Sequence, residues 1–262
     1  MWGDCVMNGN ERENARRVGG VVTAASLLLA VMLFCILAGA AERLWDTEGA
    51  RDDHFFAALA QGERPVFVID PGHGGVDGGA VGVDGIVEKE LNLAIALKLR
   101  DMLNFWGCET VMTRETDISI HSPDAKTIRE MKTSDLHNRL AIVEETPGAV
   151  YIGIHQNMFG QSRYDGAQIF YGSRCEESGR LARILQESLV NRLQPDNIRQ
   201  EKEADKNLFL LCSTEAPAVL IECGFISNPQ EAALLGDEEY QNKLVFVIFT
   251  AIAEYLAGSS VK

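Results

Sequence analysis

Apolar and polar positions recur with two different periods along this chain, and the periods divide it into short strands and longer helices. Val66-Phe67-Val68-Ile69 is a β-branched and aromatic run of the kind that forms a buried strand, and it stops at Asp70-Pro71. A glycine-dense loop from Gly72 to Gly79 follows, with His73 inside it. After Glu88-Lys89-Glu90, apolar residues at Leu91, Ala94, Ile95 and Met102 keep helical spacing, and Gly107 supplies a stop. Glu109 to Thr113 reads as a second strand, so the unit is strand, loop, helix, strand, and the sheet is mainly parallel. Arg114 to Thr133 is a long polar insertion, after which Ser134 caps a helix through Glu145. Tyr151 to His155 and Ala167 to Tyr171 are further strands, and Glu177 to Leu193 is an amphipathic helix. Ala218 to Ile221 is a buried strand that terminates in Glu222, and Asp237 to Leu256 is a final helix. The chain carries no internal repeat.

The amino-terminal part follows neither period. No charged residue occurs from Val18 to Ala40, 23 positions, which is enough to span a bilayer. Arg12, Arg16 and Arg17 precede the run and acidic residues follow it, which puts residues 1–17 in the cytoplasm and the remainder outside. Two fates are open for residues 18–40. They form a retained transmembrane anchor, or a signal-peptide core cleaved after Ala38-Gly39-Ala40. Both export the rest of the chain, with 41–64 as a spacer and 65–262 as the folded domain.

Charge narrows the partners. With 24 Lys+Arg against 38 Asp+Glu the formal charge is −14, which argues against nucleic acid because phosphates are repelled. Anionic wall polymers gain no general attraction either, so such a target needs site-specific contacts. Of six cysteines, none forms a C-x-x-C pair of the structural zinc type. Cys5 and Cys35 precede the domain; Cys108, Cys175, Cys212 and Cys223 read as small buried hydrophobes, with a Cys212–Cys223 bridge left open.

Four groups recur at equivalent places in this pattern. His73 and His155 follow strand ends, Glu222 ends a strand, and Glu88 opens a helix after the first loop. In a parallel sheet those edges share one side of the domain, so the four can converge. Two imidazoles and one carboxylate make the ligand set of a catalytic zinc ion, and a further carboxylate beside it serves as general base. Glu88 at a helix N-terminus is held ionised by the dipole, as a ligand must be. Each residue alone also has a plain structural reading, as a loop histidine, a strand-end histidine or a first-turn carboxylate. Glu222 is the hardest to explain away, because a carboxylate directly after four apolar strand residues is costly to bury without a partner. His54, His121 and His137 lie in polar surroundings and read as solvent-facing.

The segments IDPGHGGVDGGA, EKELNLAIALKL, TRETD, SDLHNR, IGIHQN and PAVLIECGFISN, in that order, resemble the zinc-dependent N-acetylmuramoyl-L-alanine amidase family. The likeness covers Val66 to about Ala257. It implies a single three-layer α/β domain with a central, mostly parallel sheet flanked by helices, which the transmembrane or signal helix read from residues 18–40 precedes. It implies zinc as cofactor, with His73, Glu88 and His155 as its ligands and Glu222 as the catalytic carboxylate. The substrate implied is peptidoglycan, cut between the lactyl group of muramic acid and L-alanine. The insertion ISIHSPDAKTIREMKTSDLHNR is most similar to the sporulation and germination branch, which acts on spore cortex before muramic-δ-lactam forms; a general wall amidase of division or turnover is the alternative. The enzyme is then exported, held at the membrane or released to the wall, and open to a protein activator. Gly153 and Gln156 depart from the family pattern around His155, which puts substrate contacts rather than the metal in question.

Asp70 is a candidate to back a ligand imidazole, or a turn-forming Asp before Pro. Asn157 is a candidate substrate contact, or a loop cap. Arg114 with Asp117, and Arg139, read as fold-holding ion pairs. Two rival functions fit less well. A zinc carboxypeptidase usually spaces its first His and Glu by three residues, against fifteen here. An inactive wall-binding module generally lacks a ligand or the base, and all four positions are filled.

Overall fold

In the computed structural model, which describes residues 65–259, the apolar run at Val66 opens strand β1 (Val66–Pro71). Then come α1 (Glu88–Phe105), β2 (Glu109–Met112), α2 (Ile128–Glu145), β3 (Ala149–Asn157) and β4 (Gln168–Tyr171). The chain continues through α3 (Glu176–Arg192), β5 (Lys202–Glu203), α4 (Phe209–Ser213), β6 (Ala218–Phe225), α5 (Pro229–Gly236) and α6 (Glu238–Ser259). The six strands form one sheet in the order β2-β1-β3-β6-β4-β5.

Strands β2, β1, β3 and β6 run parallel, as the alternation of strand and helix requires. β4 is antiparallel to β6, which makes the sheet mixed. The cause is the connection: residues 158–167 contain no helix, so the chain leaving β3 has no crossover and must re-enter the sheet from the edge it has just left.

Alternation divides the strands between two faces. Val68, Ala149, Tyr151, Ala218 and Leu220 pack with Val143 of α2 and with Leu210 and Leu211 of α4. Phe67, Ile69, Val150, Ile152, Ile154, Val219 and Ile221 are buried between them on the other face, where α1, α3 and α6 pack on one another. His155 and Glu222 have the parity of the first set and are direct register partners, and the pairing shifts just beyond them. Their edge is the one at which β1 and β3 deliver His73 and His155.

Several expected boundaries move. α2 begins at Ile128, not after Ser134: Thr127 accepts from the Glu130 amide and Glu130 accepts from the Thr127 amide, a capping box. Ser134 Oγ instead accepts from the Ser122 amide at 2.8 Å. β6 runs three residues past Glu222, so the carboxylate stands inside a strand and not at its end. Cys212 and Cys223 are both free thiols, which removes the bridge between them. Cys108 and Cys223 are buried as expected, whereas Cys175 and Cys212 are only partly so. Residues 1–64, with the anchor or signal and the spacer, lie outside the described residues. Among those described, no helix is long and apolar enough to cross a membrane.

Candidate metal centre

The loop after β1 bends through three consecutive left-handed residues, His73 (φ 63°), Gly74 (φ 136°) and Gly75 (φ 53°), and closes with reciprocal backbone bonds between Gly74 and Asp77 of 2.8 and 3.0 Å. A non-glycine residue in that region is uncommon, and such strain gathers at functional sites. Here it aims the His73 imidazole at Glu88, the first residue of α1. Two glycines make room. A Cβ on Gly72 would overlap the His155 ring, and one on Gly79 (φ 70°) would stand 2.6 Å from Glu88 Oε2 and 2.8 Å from His73 Cδ2.

The convergence expected from the strand ends is present. His73 Nε2 lies 3.2 Å from Glu88 Oε1, and His155 Nδ1 lies 3.1 Å from the same oxygen. The two imidazoles meet edge-on, with ring centroids 5.1 Å apart. One donor atom from each of the three residues lies within 4.8 Å of the others, so a single metal ion fits among them. Glu88 is 4 % exposed and its Oε2 accepts from the Ala80 amide at 2.9 Å. Burial works against its charge, but His155 and His73 overcome that and hold the carboxyl well below the usual range. Burial likewise opposes the His73 imidazolium, yet hydrogen bonds to Asp77 and Glu88 push that imidazole up to about 9.

Glu222 is different. Its Oε2 is sealed from solvent and has no hydrogen-bond partner. Burial pushes its carboxyl up to about 7; His155 pulls the other way and Glu88 adds to the rise. A carboxyl titrating near neutrality can both take and give a proton there. An orphaned carboxylate oxygen facing two imidazoles and an ionised carboxylate is the arrangement that a divalent cation and a polar substrate would satisfy.

Support for the three donors comes partly from residues that the sequence did not single out. Asp77, not Asp70, backs His73: Asp77 Oδ2 lies 2.9 Å from His73 Nδ1, and Lys132 of α2 reaches Asp77 Oδ1 at 2.7 Å. Asp70 instead accepts from Tyr151 Oη at 2.7 Å, from Thr113 and from Arg139, a buried node tying β1, β3 and α2. Burial raises its carboxyl but Arg139 and the hydroxyls bring it below the ordinary value. Asp77 was visible in the sequence as the acidic side chain within the glycine loop.

A family model described as N-acetylmuramoyl-L-alanine amidase matches residues 67–254, from the first strand to the last helix. The chain belongs to that family. It is 35% identical over 190 residues to the germination-specific N-acetylmuramoyl-L-alanine amidase of Bacillus subtilis, covering 72% of this chain and 79% of that one. Among solved structures it is similar to the CwlD amidase of Clostridioides difficile in complex with the GerS lipoprotein, at 39% identity and TM-score 0.72, covering 74% of this chain and 100% of that one. The catalytic domain of the CwlV amidase from Paenibacillus polymyxa is 31% identical, with TM-score 0.61, over 73% of this chain and 98% of that one.

In this amidase the departures around His155 turn inward. Gln156 is 3 % exposed; its amide donates to Glu88 Oε1 at 3.2 Å and its side chain donates to Asn92 Oδ1 at 3.1 Å. Asn92 in turn donates to Gly72 O at 3.2 Å. Gln156 therefore braces Glu88 and turns away from the surface. Gly153 has little room for a side chain, since a Cβ would stand 2.9 Å from Tyr151 Oη. The two arginines hold the loop. Arg114 donates to Pro71 O, Gly72 O, Thr116 O and Lys89 O, and Arg139 donates to Pro71 O and His73 O. Asp117 pairs with Lys89 at 2.6 Å and not with Arg114, a correction to the expected pairing. Arg139 pairs with Asp70 and Asp135 as a fold-holding group. His137 is exposed and His121 is half-buried against Ser119; His54 lies outside the described residues.

Proposed function

We propose that this amidase works as a zinc hydrolase, with His73, Glu88 and His155 holding the ion and Glu222 moving the proton. The observation that carries the reading is the buried, unpartnered Glu222 Oε2 beside the three donors. Zinc, when bound, supplies Lewis acidity that polarises the scissile carbonyl and makes water more acidic. Glu222 takes the proton of the attacking water and later delivers it to the leaving amine of L-alanine, and its burial favours the protonated form from which it delivers. Asp77 fixes the orientation of His73, and Asn92 with Gln156 fixes Glu88, so neither ligand has to reorganise.

The likeness to the germination-specific enzyme and to CwlD favours spore cortex as the peptidoglycan acted on. The complex of CwlD with a lipoprotein supports a protein partner for this chain as well. The uncharged run at 18–40 supports export of the domain, by anchor or by signal.

The test is product analysis. Purified full-length chain incubated with peptidoglycan should release peptides with free N-terminal L-alanine and leave lactyl carboxylates on the glycan. A chelator should stop the release and added zinc should restore it. Release that continues undiminished in the chelator would overturn the metal assignment.

A further inference from the structure

The loop leaving β3 and the tail of β6 build a second feature on the same strand ends. Phe159, four residues past His155, stands 51 % exposed and meets Tyr164 edge-on at 4.7 Å between centroids. Tyr164 stacks at 6.2 Å on Phe225, three residues past Glu222. The Arg163 guanidinium lies 5.3 Å from the Tyr164 centroid, and that of Arg199 lies 4.5 Å from the Phe225 centroid. The inner members of this ladder are fixed. Phe225 is 3 % exposed, Arg199 donates to Asp165 O at 2.7 Å and to Gln168 Oε1 at 3.2 Å, and Asn228 donates to Tyr164 O at 3.2 Å. The Phe159 amide donates to Ser227 Oγ at 3.1 Å, which ties the outer ring to the loop after β6. Phe159 and Arg163 themselves stand at the surface.

Met158 and Phe159, each 51 % exposed, put two adjoining apolar side chains at this edge, and the Phe159 ring is braced from beneath by Tyr164. It follows the ends of the strands that carry His155 and Glu222, so a polymer bound at the metal centre would extend toward it. A muramoyl residue with its amide at the centre leaves the neighbouring sugars of its strand running along this edge. Phe159 offers an apolar face and no hydrogen-bonding group, which suits the CH face of a pyranose. Arg163 offers a fork of donors, which suits a carboxylate. The reaction itself leaves a lactyl carboxylate on every muramic acid that has been trimmed. In a chain of charge −14 such an anion needs a local cation.

We propose that Phe159 and Arg163 form a glycan subsite, in which the ring carries a sugar next to the residue being cut and the guanidinium pairs with the lactyl carboxylate of an already trimmed muramic acid. The subsite rests on the proposed reaction for its place on the strand and for the origin of that carboxylate.

The test uses full-length chains carrying Phe159→Ala, Phe159→Tyr or Arg163→Ala, and glycan strands already stripped of peptide as the probe. Affinity for the stripped strands should fall about tenfold with Phe159→Ala and with Arg163→Ala, the scale of losing one surface anchor. Phe159→Tyr should retain it, and the Arg163→Ala variant should lose part of the salt dependence of binding. On polymeric peptidoglycan the two alanine variants should raise KM with kcat held. Wild-type affinity for stripped glycan in both alanine variants would overturn the subsite, as would a loss confined to binding of a protein partner. The two readings fail separately: a wild-type chain that binds stripped glycan through Phe159 but releases no peptide would sink the hydrolase reading and leave the subsite standing.

Discussion

His73 sits between two carboxylates, and that makes metal uptake a contest with a proton. Its imidazole is raised from 6.5 to about 9, with Asp77 and Glu88 outweighing burial. In the metal-free chain this contributes stability that is fully present below pH 6.5 and is lost as pH rises through 9. A metal needs the neutral imidazole, so its affinity has the opposite slope and climbs across the same window. Calorimetric titration with zinc at pH 7.5, in buffers of different ionisation enthalpy, should therefore show release of about one proton from this group. Asp77→Asn should lower that release, and zinc binding with no proton released would contradict the assignment. Gly79 gives a second prediction at this scale. Gly79→Ala forces a Cβ to 2.6 Å from Glu88 Oε2 at a backbone angle of 70°, and should weaken zinc binding by about tenfold or more in competition with a chromophoric chelator. An unchanged affinity would mean that the ligands are set by something else. The three donors and Glu222 were legible in the sequence because each follows an apolar strand run or opens a helix, although His155 and Glu222 stand inside their strands and not at the ends. Asn92 and Gln156 were not, because their roles arise only when the buried face of α1 meets β3.

At the scale of elements, α2 is fastened to β1 by Arg139, which is 2 % exposed between Asp70 and Asp135. Removing the guanidinium strands two buried carboxylates and frees the His73 carbonyl. Arg139→Met should lower stability by about 3–5 kcal/mol, read as a shift of the urea midpoint with its slope unchanged. A midpoint within error of wild type would show that α2 is not held in this way. The start of α2 could have been found from Thr127-Ile128-Arg129-Glu130, whose Thr-x-x-Glu spacing is a capping signal stronger than the lone Ser134. Asn228-Pro229 likewise announces α5, with Asn228 accepting from the Gln230 and Glu231 amides. β5 and α4 are too short for a period to register. The direction of β4 follows from a missing crossover, a property of the connection and not of the strand.

For the whole molecule, the sheet sorts function to one edge: β1, β3 and β6 end where α1 begins, and four groups distant in sequence meet there. Binding a metal at that junction couples the loop after β1 to the helix and the centre of the sheet. Zinc at about a hundred times its Kd should add about 2.7 kcal/mol to the stability of the metal-free chain. A thermal scan should show that as a rise of several degrees, lost again on chelation. No rise would mean that no ion is held by the folded form. The proposed chemistry turns on a division of labour, in which Glu222 would move the proton and would not hold the ion. Zinc content of full-length Glu222→Gln, read alongside its rate of peptide release from peptidoglycan, separates those two roles. One zinc per chain is expected, as in wild type, with release slowed by about a hundredfold or more. Full activity in that variant, or loss of its zinc, would contradict the assignment.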